Sequence, residues 1–184
     1  KYLKAQINPH FLFNTLNNLY ALTLKKSEAA PEVVLKLSEI MRYMLYESNE
    51  KTVSLSKEVN YLRNYIELER IRKQNKDFIL FYLEGNPNDK VIAPLLLIAF
   101  VENAIKHGLI LKEAKASIQV KLNIENARLK FSVENKVDSQ SEAKVGGIGL
   151  QNVRKRLDLI YPQQHQLQII EENGIFKVNL SINF

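Results

Sequence analysis

The chain has no cysteine among its 184 residues, which excludes disulfides and thiolate metal sites and fits a reducing compartment. It lacks any run of about eighteen apolar residues, the length a membrane-spanning helix needs, and no signal-peptide pattern is present. Repeats and low-complexity tracts are missing too. No long basic block stands behind the net charge of +6, because 26 Lys and Arg are interleaved with 20 Asp and Glu. The aromatics fall mostly at core spacing and do not alternate with basic side chains as stacking platforms. Nucleic-acid binding is therefore not expected, and the surplus charge reads as attraction for a nucleotide or an acidic protein. An initiator methionine is also missing. The chain opens on Lys1 already in a helical pattern, which reads as a fragment of something longer.

What is present suffices for one compact domain plus a helical segment, with 46% hydrophobic residues to fill a core. Three helical stretches are predicted first. One covers residues near 2–25. A second runs over 31–48, with Pro31 at its start and an apolar stripe of Val34, Leu37, Ile40 or Met41, and Met44. The third follows a polar break, with Leu55, Val59, Leu62 and Ile66 at helical spacing. Amphipathic helices of this size are not stable alone in water, so a helical bundle completed by a second chain is expected. From about Asp77 the pattern changes to strands in FILFYLEG, ASIQVKLNIEN, ARLKFSVEN, HQLQIIEEN and GIFKVNLSINF, with turns at Asn126 and at Asn173 with Gly174. Helices at about 94–107 and 149–160 interrupt them. The predicted fold is α+β: helices over 1–75, then a sandwich of sheet and helices over 76–184.

Three segments carry chemistry. QINPHFLFNTLNNL (6–19) places Gln6, His10, Asn14 and Asn17 on one uncharged helical stripe, beside an apolar face of Leu12, Phe13, Leu16, Leu19 and Tyr20. Pro9 removes a backbone hydrogen bond and bends the helix just before the histidine. The stripe reads either as a capped helix with a surface histidine or as a surface kept for chemistry on His10. PLLLIAFVENAIKHG (94–108) puts Leu97, Val101, Ala104 and Ile105 toward a core, and Asn103, Lys106 and His107 on the opposite face. GGIGLQNVRKRL (146–157) is a glycine-rich turn running into a basic helix. Glycines let backbone N–H groups approach phosphate oxygens, and a helix amino terminus favours negative charge.

Taken together, these segments resemble the sensor histidine kinases of the LytS-like class, and LSKEVNYLRNYIELERIR (55–72) is similar to the linker helix of that class. The resemblance covers nearly the whole chain. It implies an amino-terminal dimerising, phosphoacceptor segment and an ATP-binding domain of the kind shared with gyrase and the heat-shock chaperones. The implied activity is ATP-dependent autophosphorylation on His10, followed by phosphoryl transfer to an aspartate on the receiver domain of a response regulator. A homodimer is implied, placed at the cytoplasmic face of the membrane by a sensor region outside this sequence.

Residue by residue, the resemblance makes Asn103 the Mg²⁺ ligand through its side-chain oxygen, which suits a hard cation. Lys106 is then a phosphate contact, His107 a nucleotide contact, and Glu102 a candidate to orient or accept a proton; an ordinary surface charge pair is the other reading of Glu102 and Lys106. Gly147 and Gly149 map onto phosphate-cradling glycines, and Leu150 and Asn152 join the nucleotide-binding candidates. Asn14, one turn after His10, stands where related kinases keep an amide or hydroxyl that orients water. Phe11 occupies the place where many sensor kinases have an acid, so no general base is assigned. In SVENKV (132–137), Asn135 stands where the family's adenine-reading Asp is usual and Val137 where a glycine is; NGIFKV lacks the threonine common after its glycine. A carboxylate only accepts hydrogen bonds whereas an amide also donates, so weaker discrimination between adenine and guanine is expected. KVDSQSEAKVGG (136–147) reads as a short mobile lid. The rival reading is a degenerate, non-catalytic kinase that serves as a dimeric interaction module.

Overall fold

The computed structural model describes residues 9–108, 118–137 and 148–184. In chain order its elements are α1 (Pro9–Leu24), α2 (Ala30–Leu45), a 3₁₀ turn (Glu47–Asn49), β1 (Val53–Ser54), α3 (Leu55–Lys73), β2 (Ile79–Glu84), β3 (Val91–Ile92), α4 (Ile98–His107), β4 (Ile118–Glu125), β5 (Arg128–Lys136), α5 (Ile148–Ile160), β6 (His165–Glu172) and β7 (Ile175–Asn183).

Local chemistry explains where the first helices begin and end. α2 has proline in its first turn, where the missing N–H is no loss. At α3, Ser54 caps the amino terminus by accepting from the Lys57 amide. Arg70, Arg72 and Lys73 gather in its last turn, where positive charge is favoured, and the left-handed Gln74 stops it. The α2–α3 interface buries Val33, Leu37, Ile40, Tyr43 and Met44 with Leu55, Val59, Leu62 and Ile66. Tyr43 stacks on Tyr61 at 4.8 Å between ring centroids. Asn64 donates to Glu39 across the pair at 2.6 Å.

Two expected helix faces are corrected. On α2, Val33 rather than Val34 enters the core, and Val34 is 47% exposed. On α1 the larger apolar side turns outward: Phe13 and Tyr20 are each 65% exposed and Leu16 is exposed too, whereas Phe11 and Thr15 are buried. Leu12, Leu19 and Leu22 are packed partly against the core. Within one chain α1 has α2 and α3 on only one side. Phe11 supplies the anchor, stacked on Tyr65 at 4.4 Å and 22°. Burying such a ring contributes about 1.5–3 kcal/mol, and Thr15 closes its hydroxyl onto the Phe11 carbonyl. The expected bend at Pro9 lies at the edge of the described residues, and Gln6 lies outside them.

The five predicted strands form one mixed sheet in the order β2-β4-β5-β7-β6, parallel between β2 and β4 and antiparallel elsewhere. Alternation is strict on the central strands: Val120 and Leu122, Leu129, Phe131 and Val133, and Val178, Leu180 and Ile182 face inward. The hairpin turns carry positive φ at Asn126, and at Asn173 and Gly174. α4 packs onto this face through Leu97, Val101 and Ala104, with Ile105 partly buried, and Phe100 meets Phe131 at 6.1 Å. α5 adds Leu150, Val153 and Leu157. The result is two layers, helices over one face of a sheet. A short ladder between β1 and β3 was not foreseen. It fixes the start of α3 to the strand before α4, helped by the Leu55 amide donating to Lys90 at 2.8 Å. No described helix is long and apolar enough to cross a membrane.

Candidate functional site

The turn that launches α4, residues 93–97, is gripped from several elements. Glu58 of α3 is 1% exposed, and its carboxylate accepts from three consecutive amides, Leu95 at 3.0 Å, Leu96 at 3.1 Å and Leu97 at 3.3 Å. The Tyr43 hydroxyl of α2 donates to the same carboxylate. Burial pushes the Glu58 carboxyl above the usual range, against the pull of those donors; burial likewise raises Tyr43, which stays a neutral donor. From α5, Arg156 donates to the Pro94 carbonyl at 2.6 Å, and from the end of that helix Tyr161 accepts from the Ala93 amide at 2.8 Å. Leu95 sits at φ 56, a left-handed conformation that a leucine adopts only when its surroundings impose it.

So anchored, α4 turns its polar side toward α1, α3 and the start of α5. These elements enclose a cavity of about 720 Å³. Eight of the sequence's candidates line it: His10 and Asn14 from α1, Glu102, Asn103, Lys106 and His107 from α4, and Gly149 and Leu150 from α5. The Asn14 amide nitrogen lies 3.2 Å from Nδ1 and 3.3 Å from Nε2 of His10. Gly149 has open space where a Cβ would stand, so the first turn of α5 presents bare backbone to the cavity. Tyr65, Glu69 and Arg72 of α3 complete the wall and were missed in the sequence. A signal existed: Glu69 falls where the stripe of Leu55, Val59, Leu62 and Ile66 would continue, and an acid at a core position needs a partner. Glu69 is buried and pairs with Arg72. Burial, and the carboxylates of Glu102 and Glu69, hold the Tyr65 hydroxyl well above its ordinary range.

Asn135 ends the inward row of β5, after Leu129, Phe131 and Val133, and is 2% exposed. Its Nδ2 donates weakly to the Lys136 carbonyl at 3.3 Å, and its Oδ1 is the one buried side-chain oxygen or nitrogen without a partner among the described residues. Gly108, at the end of α4, comes close: a Cβ there would stand 3.5 Å from Asn135 Nδ2 and 2.6 Å from the Ala104 carbonyl. Three candidates are not among the residues that line the cavity, Asn135 being one. Asn152 is exposed and does not line the cavity, and Gly147 lies outside the described residues, as does most of the segment read as a lid. A hollow of similar size, about 710 Å³, on the outer face of the sheet gathers none of the candidates. On its rim Arg128 donates to Asn183 and Asn123 to Glu84.

Comparison with known proteins finds histidine kinases. The histidine kinase family model matches residues 1–77. The sensor protein LytS of Staphylococcus saprophyticus is 30% identical over all of this chain and 33% of its own length. The sensor histidine kinase/phosphatase LytS of Staphylococcus aureus is 31% identical over 91% of this chain and 31% of its own. The chain thus spans about a third of the length of these curated relatives. The catalytic domain of the histidine kinase ThkA aligns with 72% of this chain and 93% of that one, at 19% identity and a TM-score of 0.49, too low to decide anything. Residues 1–77 thus resemble the histidine kinases. Over nearly its whole length the chain is similar to about a third of the length of the LytS sensor proteins.

Proposed function

We propose that this chain is the kinase core of a two-component sensor, phosphorylating His10 from ATP and passing the phosphoryl group to an aspartate on a response regulator. The observation that carries the reading is the single cavity in which His10 and Asn14 face Asn103, Lys106 and the first turn of α5. Phosphoryl transfer demands positioning and charge neutralisation more than covalent chemistry from the protein.

The residues fit ATP with Mg²⁺. The unpartnered Oδ1 of buried Asn135 is an acceptor for a base amine. Gly149 leaves room for a phosphate against the α5 amides. Asn103 offers the kind of oxygen that a magnesium ion accepts when phosphates and water complete its shell. Bound there, ATP supplies the transferable phosphoryl group and the metal neutralises its charge. Asn103 would hold the ion and Lys106 and His107 would contact the phosphates, while Asn14 steadies the imidazole through its amide. His10 offers an unprotonated ring nitrogen as nucleophile.

The exposed side of α1 supports a homodimer through residues 1–75, since Phe13, Leu16, Tyr20 and Leu24 form a stripe that one chain leaves uncovered. Location at the cytoplasmic face of the membrane, through a sensor region outside this sequence, completes the proposal. The test is incubation with γ-labelled ATP and Mg²⁺. Wild type takes up acid-labile, base-stable label, while His10→Gln binds ATP and takes up none. Label persisting in His10→Gln overturns the assignment; binding without label in wild type favours the non-catalytic interaction module.

A further inference from the structure

We infer that phosphorylation is in cis: each chain's nucleotide site acts on the His10 of that same chain. The inference rests on the functional reading above and adds which histidine is the substrate. His10 and Asn14 line the same cavity as Asn103 and Gly149 of their own chain, so donor and acceptor are brought together before any second chain is considered. α1 is held in that orientation by its own neighbours. At about 100° per residue, Phe11 and Thr15 mark its inner side, where both are buried and Phe11 stacks on Tyr65. Phe13 and Tyr20 mark the outer side. His10 and Asn14 lie on the flank between, at the mouth of the cavity. A histidine from a partner chain would have to enter a mouth already flanked by the resident one, whereas the resident ring lines the cavity from the start. The outer stripe meanwhile leaves α1 free to dimerise without giving up its histidine.

The step is balanced within one chain and one ATP. The unprotonated ring nitrogen of His10 forms a bond to the γ-phosphorus. The bond from that phosphorus to the β,γ-bridging oxygen breaks, and ADP leaves with the electron pair. The proton on the other ring nitrogen passes to solvent through the open mouth.

Full chains bearing two different affinity tags are co-expressed and mixed dimers isolated by tandem purification. A dimer of His10→Gln with Asn103→Ala has one intact site and one intact acceptor on different chains; in cis it takes up less than about a twentieth of the wild-type label. A dimer of wild type with the double variant His10→Gln/Asn103→Ala labels its wild-type chain at the full rate per site. The reverse pattern, label on the Asn103→Ala chain in the first dimer and none in the second, overturns the inference while leaving the kinase assignment standing. Should the chain purify as a monomer, a rate per molecule constant over a hundredfold range of concentration supports cis, and a rate rising with concentration overturns it. Wild type that binds ATP without labelling removes the functional reading, and this inference with it.

Discussion

Two polar side chains are sealed in at opposite ends of α4. Glu58, beneath its start, has four donors on one carboxylate. Asn135, near its end, has an oxygen with none among the described residues. Both are almost wholly shielded from water, so burial alone does not separate them. Satisfaction does: a buried polar group that is fully bonded holds structure, while one left unbonded costs stability on the order of 1–3 kcal/mol and is retained where something else completes it. Glu58 reads as the anchor of the helix, and the unbonded oxygen of Asn135 is what the proposed function assigns to a base amine.

The comparison is open to attack by substitution. The largest effect is expected from Glu58→Ala, which strands three amides and the Tyr43 hydroxyl; urea unfolding should lose on the order of 3–5 kcal/mol. A loss below about 1 kcal/mol would mean the turn holds itself. Asn135→Leu removes an unbonded oxygen and a single weak hydrogen bond, so stability should stay within about 1 kcal/mol of wild type while ATP affinity, followed by calorimetry, falls about tenfold or more. Unchanged affinity would remove Asn135 from the base site, and a large loss of stability would make it another Glu58. The smallest effect is expected at Gly149→Ala: the added methyl meets open space, so the melting temperature holds or rises slightly, and ATP binding weakens about three- to tenfold as the methyl takes up room beside the α5 amides. Equal affinity would show that the phosphates lie elsewhere.

Much of this architecture was legible because it rests on periodicity. Alternation in segments such as KLNIE and KVNLSIN marked the strands, and the spacing of Leu55, Val59, Leu62 and Ile66 marked α3. The grouping of His10 with Asn103 and Gly149 was legible through motif residues rather than through pattern. What escaped has physical reasons. β1 and β3 are two residues each, too short for any period. Apart from its polar stripe α1 is apolar over most of its circumference, so its sequence could not say which apolar side meets its own chain and which is left for another. Glu58 looks like an ordinary helix-surface acid until the fold closes over it, because its amide partners lie in a turn nearly forty residues away.

The turn at 93–97 has a thermodynamic meaning as well. It is bonded at once to α2 through Tyr43 by way of Glu58, to α3 through Glu58 itself, and to α5 and the residue after it through Arg156 and Tyr161. Helices that share one set of bonds do not hold independent free energies. Whatever settles on the first turn of α5 therefore also weighs on the α2–α3 pair, and by reciprocity a force that strains this pair changes the affinity at α5 by the same factor. On the proposed function, the α2–α3 pair and the nucleotide site would then be two readouts of one equilibrium.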